Sequence, residues 1–307
     1  MENRVYIVDA FTTTMFGGNP AGVVVSEEFP EEKLMQQIAA ELNLSETVFV
    51  SVDKHQPRTF QTRFFTPVTE VELCGHATLA AFHVLVKEGF IADEKPQFHV
   101  KQQTATEELR VDIIQGDEDI EIIMEQKSPR LIDQEIDLER LSEILGIDRD
   151  QIEINTSKNS KASLEPTIAT TGLKDLMVPI KTLESLKKLT INEDQLTKYS
   201  KELGVVGIHA FTLETLRENT AHCRNFAPLV GISEEAATGT ASGALGYYLV
   251  KKNVIPLDHQ EAFLTFEQGD FMNRPSEIRC YIKKQQEEYR IKVAGKARII
   301  IKGEILL

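Results

Sequence analysis

Cysteine is scarce. Cys74, Cys223 and Cys280 are the three in 307 residues, too few for a disulfide scaffold, so free thiols and a cytoplasmic protein are expected. Positive charge is short as well: 34 Lys and Arg stand against 48 Asp and Glu, a net charge of −14. A chain that acidic is repelled by phosphate backbones, so nucleic acid is not an expected partner. No apolar run approaches the ~18–20 residues that cross a bilayer, and the opening MENRVYIVDAF carries no secretory signature, so no membrane is expected either. Also missing are the phosphate loops G-x-x-x-x-G-K-[ST] and G-x-G-x-x-G, and the G-x-S-x-G nucleophile elbow. No histidine–carboxylate spacing resembles a metal site; His55, His83, His99, His209, His222 and His259 are scattered. The chemistry left to look for is proton transfer with no cofactor and no metal. The composition that is present, 41% apolar and 27% charged, is that of a globular chain long enough for about two domains.

The pattern reads as mixed α/β. Val5 to Phe11 alternates loosely as a strand, the turn Gly17-Gly18-Asn19-Pro20 follows, and Ala21 to Val25 is a second strand. Pro30 suits the first position of a helix whose stripe is Leu34, Ile38 and Leu42 and whose end is Asn43. Segments 46–52, 59–66, 97–103, 109–115 and 119–125 read as strands. Between them Gly75 to Lys87 reads as a helix apolar on nearly every face, hence surrounded by protein. Residues 128–165 are polar, with one short helix at Leu138–Leu145, an exposed loop at Lys158–Lys161, and the role of a link between halves.

The second half repeats the first. Arg63-Phe64-Phe65-Thr66-Pro67 matches Arg224-Asn225-Phe226-Ala227-Pro228 at an offset of 161, and the helix from Gly75 matches one from Gly239 at 164. Phe98 and Gln103 then match Phe263 and Gln268 at 165. An offset that grows only in turns is how a duplicated unit drifts. The expectation is two pseudo-symmetric lobes, 1–127 and 128–307, each with strands around one buried helix and with a final strand near 298–307 that returns to the first lobe. A cleft between such lobes is the natural place for a ligand.

Both repeated helices open on small residues, Cys74-Gly75-His76-Ala77 and Thr238-Gly239-Thr240-Ala241. A helix N-terminus offers unpaired N–H groups and partial positive charge, so Gly75 and Gly239 fit a carboxylate site as well as they fit tight helix packing. Glu46, in Leu44-Ser45-Glu46-Thr47-Val48-Phe49-Val50, shares a strand face with Leu44, Val48 and Val50. If that face is the core side, apolar walls favour the neutral carboxyl, and the group can both take and return a proton. His76 lies in the first turn of the buried helix, and Glu234-Glu235 just precede the second helix, where an ordinary first-turn acid is the default reading for one of them.

Several separate motifs in order then resemble the phenazine-biosynthesis (PhzF-like) family, of the diaminopimelate epimerase-like superfamily. They are Val8-Asp9-Ala10-Phe11, Gly18-Asn19-Pro20-Ala21, Ser45 to Phe49, Arg63 to Pro67, Cys74 to Thr78, Phe226 to Ala241, Glu267-Gln268-Gly269 and Arg274-Pro275-Ser276. The resemblance implies two lobes, each a bent sheet wrapped round a central helix. It also implies a cofactor-independent isomerase and a homodimer that acts on a small carboxylate substrate. Carried onto this chain, it makes Glu46 the single acid/base and gives substrate contacts to His76, to the acid at Glu235 and to the helix-start hydroxyl at Thr240. With Gly75, Gly239 and, more weakly, Asn19, these are the candidate binding residues. Two departures stand out: Glu-Glu for the family's Glu-Asp at 234–235, and Thr-Gly-Thr for its Thr-Gly-Ser at 238–240. They keep open a binding protein that has lost turnover. A two-thiol epimerase would need a second cysteine where Thr238 stands, leaving Cys74 as a small buried residue.

Overall fold

The computed structural model describes residues 3–306, apart from 53–54, 57, 92, 94, 117–118 and 156–162, so the loop expected at Lys158–Lys161 lies outside the described residues. The chain divides into two compact units, Met1–Glu125 with Ala294–Leu307, and Gln126–Val293.

In the first unit β1 (Asn3–Ala10) and β2 (Asn19–Ser26) form an antiparallel pair. Next come α1 (Glu32–Leu42), β3 (Glu46–Ser51), β4 (Thr59–Phe65) and the two-residue β5 (Glu70–Val71). The central helix α2 (Gly75–Lys87) is followed by β6 (Gln97–Gln103), β7 (Glu108–Gln115) and β8 (Ile120–Glu125). Pairing runs β1–β2 antiparallel, β2–β3 parallel, β3–β4 antiparallel, β4–β6 parallel, then β6–β7–β8 antiparallel. The chain's last strand, residues 288–305, pairs with both β1 and β8 and closes the ring. Its register against β1 runs from Asn3 opposite Ile305 to Ala10 opposite Ala297. Inside the ring α2 touches β1, β2, β3 and β8, and every residue from His76 to Val86 is buried. Its all-round apolar surface follows from that position. Outside the ring, Met35, Ile38 and Ala39 of α1 pack on Val24, Phe49 and Phe65. Pro30 stands one residue before the N-cap Glu31 and not in the first turn; Asn43 ends α1 in the left-handed conformation, φ 50°.

In the second unit β9 (Arg130–Ile132) leads to α3 (Leu138–Leu145) and the short pair β10 (Ile154–Asn155) and β11 (Ser163–Leu164). Next are β12 (Thr167–Thr170), β13 (Lys174–Pro179), α4 (Leu183–Lys188), α5 (Glu193–Leu203), β14 (Gly207–Thr212), β15 (Ala221–Ala227) and β16 (Ile232–Glu235). The second central helix α6 (Gly239–Lys251), β17 (Glu261–Gln268), β18 (Ser276–Gln285) and β19 (Glu288–Ile305) complete the chain. The pairings β12–β13, β13–β14, β14–β15, β15–β17 and β17–β18 alternate antiparallel and parallel in the same order as β1–β2 through β6–β7.

The repeat therefore reaches further than the sequence matches. α5 lies 161 residues after α1, with the same length, although their sequences share little. The stretch 128–165 is no linker. Leu141, Ile144 and Leu145 of α3 share one core with Leu186, Leu196, Tyr199 and Phe226. Caps explain why α3 forms in so polar a segment: the Asp137 side chain accepts from the Arg140 N–H, and Gly146 closes the helix at φ 67°.

Candidate active site

Glu46 is the first residue of β3 and pairs in parallel with Ala21 of β2. The strand's period of two puts it on the face of Val48 and Val50, both fully buried, while Phe49 turns the other way to α1. The Glu46 side chain points to the α2 side and is 13% exposed. There it meets the head of α2. The His76 ring is 4% exposed, and its Nε2 lies 3.3 Å from Glu46 Oε2 and 3.3 Å from Ser45 Oγ. The Cys74 thiol lies 3.3 Å from His76 Nδ1. The contact between Glu46 and His76 has ion-pair distance but not hydrogen-bond alignment, and Glu46 Oε2 is buried with no hydrogen-bond partner. A buried carboxylate oxygen left unsatisfied costs free energy unless something else engages it, so this atom is ready to accept. A Cβ added to Gly75 would meet nothing within 4 Å, so at this helix head glycine keeps space open and does not serve close packing. Asn19 is buried at the start of β2, two residues ahead of the Ala21–Glu46 pair and hence at the same end of the sheet. Ser45 is a site residue that sequence reasoning missed, and Cys74 is half-buried against His76, not a small buried filler.

The second unit holds Glu235, Gly239 and Thr240. Glu234 and Glu235 both lie on β16 and not in the first turn of α6. Arg224 takes Glu234 in a two-pronged bond at 2.8 Å for each prong, as Arg63 takes Glu70 in the first unit at 2.7 Å for each. Glu234 is thereby neutralised structurally and Glu235 is left to the helix head. Asp175, which the sequence reading passed over, is 4% exposed on β13. Burial first, and then the negative charge of Glu235, push its carboxyl up to about 7. Its signal was an acid directly ahead of the apolar run Leu176-Met177-Val178. Two other buried groups are histidines, His83 on α2 and His209 on β14, each brought down to about 4 mainly by burial.

Among the described residues two groups bring three metal-ligating side chains within 4.8 Å, Glu46–Cys74–His76 and His222–Glu267–Asp270. In the first, the two ring nitrogens of His76 face different partners. In the second, Glu267 already accepts from the N–H groups of Leu216 and Arg217, from Asn219 and from His222, and Arg217 sits on Asp270. Burial alone would raise Glu267, but the His222 ring, the two N–H groups and the Arg217 charge outweigh it and hold the carboxyl at about 2. That saturation makes the second group a tether for the loop before β15.

A strand ring around a buried helix is the mixed α/β architecture of the PhzF- and diaminopimelate epimerase-like proteins. Residues 8–303 match the PhzC-PhzF family, described as phenazine biosynthesis-like protein, and the chain belongs to that family. It is similar to an uncharacterized isomerase of Clostridium acetobutylicum, 34% identical over 309 residues that cover 99% of this chain and 98% of the relative. The crystal structure of a PhzF-family phenazine biosynthesis protein from Bacillus anthracis covers 100% of both chains with a TM-score of 0.88 and 28% identity. A hydroxyproline epimerase from Agrobacterium vitis, solved with trans-4-hydroxy-L-proline bound, has 9% identity, covers 99% and 91% of the two chains, and shares the fold at a TM-score of 0.61. The chain is thus a family isomerase. No helix among the described residues is long and apolar enough to cross a membrane.

Proposed function

We propose that this isomerase moves a proton on a small carboxylic acid, using Glu46 as its one acid/base and no cofactor. The observation that carries the reading is the Glu46 Oε2 atom, buried, without a hydrogen-bond partner and 3.3 Å from the buried His76 ring. The carboxylate takes a proton from one carbon of the substrate, and the electron pair left behind spreads into the conjugated acid. The same carboxyl then returns the proton at a second carbon, so no proton is gained or lost overall. His76 and the backbone N–H groups at the head of α2 hold the substrate carboxylate and the charge that develops on it. Asn19 adds a contact at the same sheet end. Resting on the resemblance, the reading extends substrate contacts to Glu235, Gly239 and Thr240. Thr240 is a methyl larger than the family's serine, a difference worth roughly 1–3 kcal/mol in substrate choice.

Incubation with cyclic and amino-acid carboxylates in deuterated water tests this. Solvent deuterium should enter one of them at a rate that depends on Glu46. Tight binding with no exchange over long times would instead make the chain a binding protein that has kept the family site. Cys74 decides the two-base alternative. Cys74→Ala is expected to keep exchange within a few-fold of the parent; loss of exchange in that variant, with the fold intact, would make the thiol a base.

A further inference from the structure

Two motifs that carry the family resemblance, Glu267-Gln268-Gly269 and Arg274-Pro275-Ser276, have no part in the chemistry above, yet both converge on the segment that presents Glu235. Gln268 ends β17 and is fully buried. Its Nε2 donates to the Glu235 carbonyl at 2.7 Å and to Thr238 Oγ1 at 3.1 Å, and its Oε1 accepts the Thr238 N–H at 3.3 Å. Both amide hydrogens are therefore spent on this one segment. The Ser276 hydroxyl lies 2.8 Å from the Ala236 carbonyl, just past β16, and 3.0 Å from the Gln268 carbonyl at the end of β17. Gly269 sits at φ 79°, where a Cβ would stand 2.6 Å from the Ala236 carbonyl oxygen and 2.3 Å from that of Arg274.

Thr238 is the N-cap of α6, but its side chain makes no capping bond. An N-cap threonine ordinarily accepts an N–H of the first turn. Here the hydroxyl accepts from Gln268 instead, and that fixes where its own hydrogen goes: to Glu235 Oε2. The chain of donors runs one way, amide to hydroxyl to carboxylate.

We propose that Gln268 is a positioning residue which, acting through Thr238, aims the Glu235 carboxylate for substrate. The role given to Glu235 rests on the function proposed above; the donor chain itself does not. Thr238 gives up its capping bond to serve it, and Gly269 and Ser276 hold the backbone so that the aim is reproducible.

The test compares wild type with Thr238→Ser, Thr238→Val and Gln268→Met; the valine removes the hydroxyl that serves both links, and the methionine breaks only the first. Crystal structures give the first readout. Glu235 should keep its side-chain conformation in Thr238→Ser and swing away in Thr238→Val and Gln268→Met, with Glu46 and His76 unmoved. An unmoved Glu235 in both breaking variants overturns the proposal, whatever the activity. The second readout uses the carboxylic acid that shows Glu46-dependent deuterium exchange. KM should rise tenfold or more in Thr238→Val with kcat changed less, and Thr238→Ser should restore it. Equal losses in kcat and KM effects shared by Thr238→Ser would mark a merely structural role. If Gln268→Met fails to fold, Thr238→Val decides alone. Failure of the first readout condemns the donor chain, whereas exchange indifferent to Glu46→Gln condemns the proton-transfer reading and leaves the crystallographic result standing.

Discussion

Glu46→Gln is expected to abolish solvent exchange into the substrate, a loss of ~10²–10⁴-fold or more for removal of a general acid/base, while ligand binding changes little. The amide keeps the shape and a hydrogen-bonding oxygen but has no lone pair basic enough to remove a carbon-bound proton. Because one group performs both halves of the transfer in this reading, there is no second base to carry a residual half-reaction. His76 is not a substitute: its ring already faces Ser45 and Glu46 through Nε2 and Cys74 beside Nδ1. Stability should fall little, since the oxygen that lies deepest has no hydrogen-bond partner to lose. Deuterium incorporation followed by NMR, beside calorimetric binding of the same acid, separates the two effects. Unchanged exchange would remove Glu46 from the chemistry.

The units should respond differently to mild acid. His83 in the first unit and His209 in the second both have folded values of about 4, against about 6.5 in an unfolded chain. Between these values the unfolded state binds the extra proton, so stability is full above pH ~6.5 and is lost as pH falls towards 4, by about 3 kcal/mol for each histidine. In the second unit Asp175 works against this. Its folded value of about 7 lies above the unfolded ~3.9, so there the folded state binds the extra proton and stability falls as pH rises. His209 and Asp175 therefore cancel between pH ~4 and ~6.5, and the second unit stays nearly level while the first declines. Asp175→Asn should unmask His209: the second unit gains up to about 4 kcal/mol at pH 8 and then loses about 3 between pH 6.5 and 4. Below that Glu267, held at about 2, gives up its own share as it is protonated. Amide hydrogen exchange in α2 and β14 across this pH range reads the two units separately. A second unit that declines as steeply as the first without the Asp175 substitution would show the cancellation to be wrong.

How much of this the sequence carries depends on whether the signal is local. The second central helix, Gly239–Lys251, is legible because it repeats the first at an offset of 164. The first, Gly75–Lys87, is legible to the residue because an all-round apolar surface marks burial without any knowledge of the neighbours. The strands at 46–52, 59–66, 97–103, 109–115 and 119–125 appear within a residue or two of their observed ends for the same reason. α4 and α5 escaped notice, because α5 shows its core only Leu196, Tyr199 and Ser200 in an otherwise polar stretch. In the site, Glu46 on an apolar strand face was visible. Which of the paired acids at 234–235 is structural was not, because the answer lies with Arg224, ten residues away and across a strand pair.

The amino-acid sequence by itself determined the duplicated plan, written in motifs that recur 161 to 165 residues apart, and the two buried helices and the strand face that carries Glu46, written in spacings of two to four residues. A final strand returning to the first unit is already an expectation of the sequence. Tertiary structure decided where the return begins, at Ala294, and its register, from Asn3 opposite Ile305 to Ala10 opposite Ala297, beside a strand almost 300 positions earlier in the chain. It also decided that Cys74, His76 and Glu46 share one corner, and that Gln268 reaches Glu235 through a threonine hydroxyl. Periodicity reports which side of an element is covered; it holds no record of what covers it, and a hydrogen bond between distant residues is fixed only when the chain closes on itself.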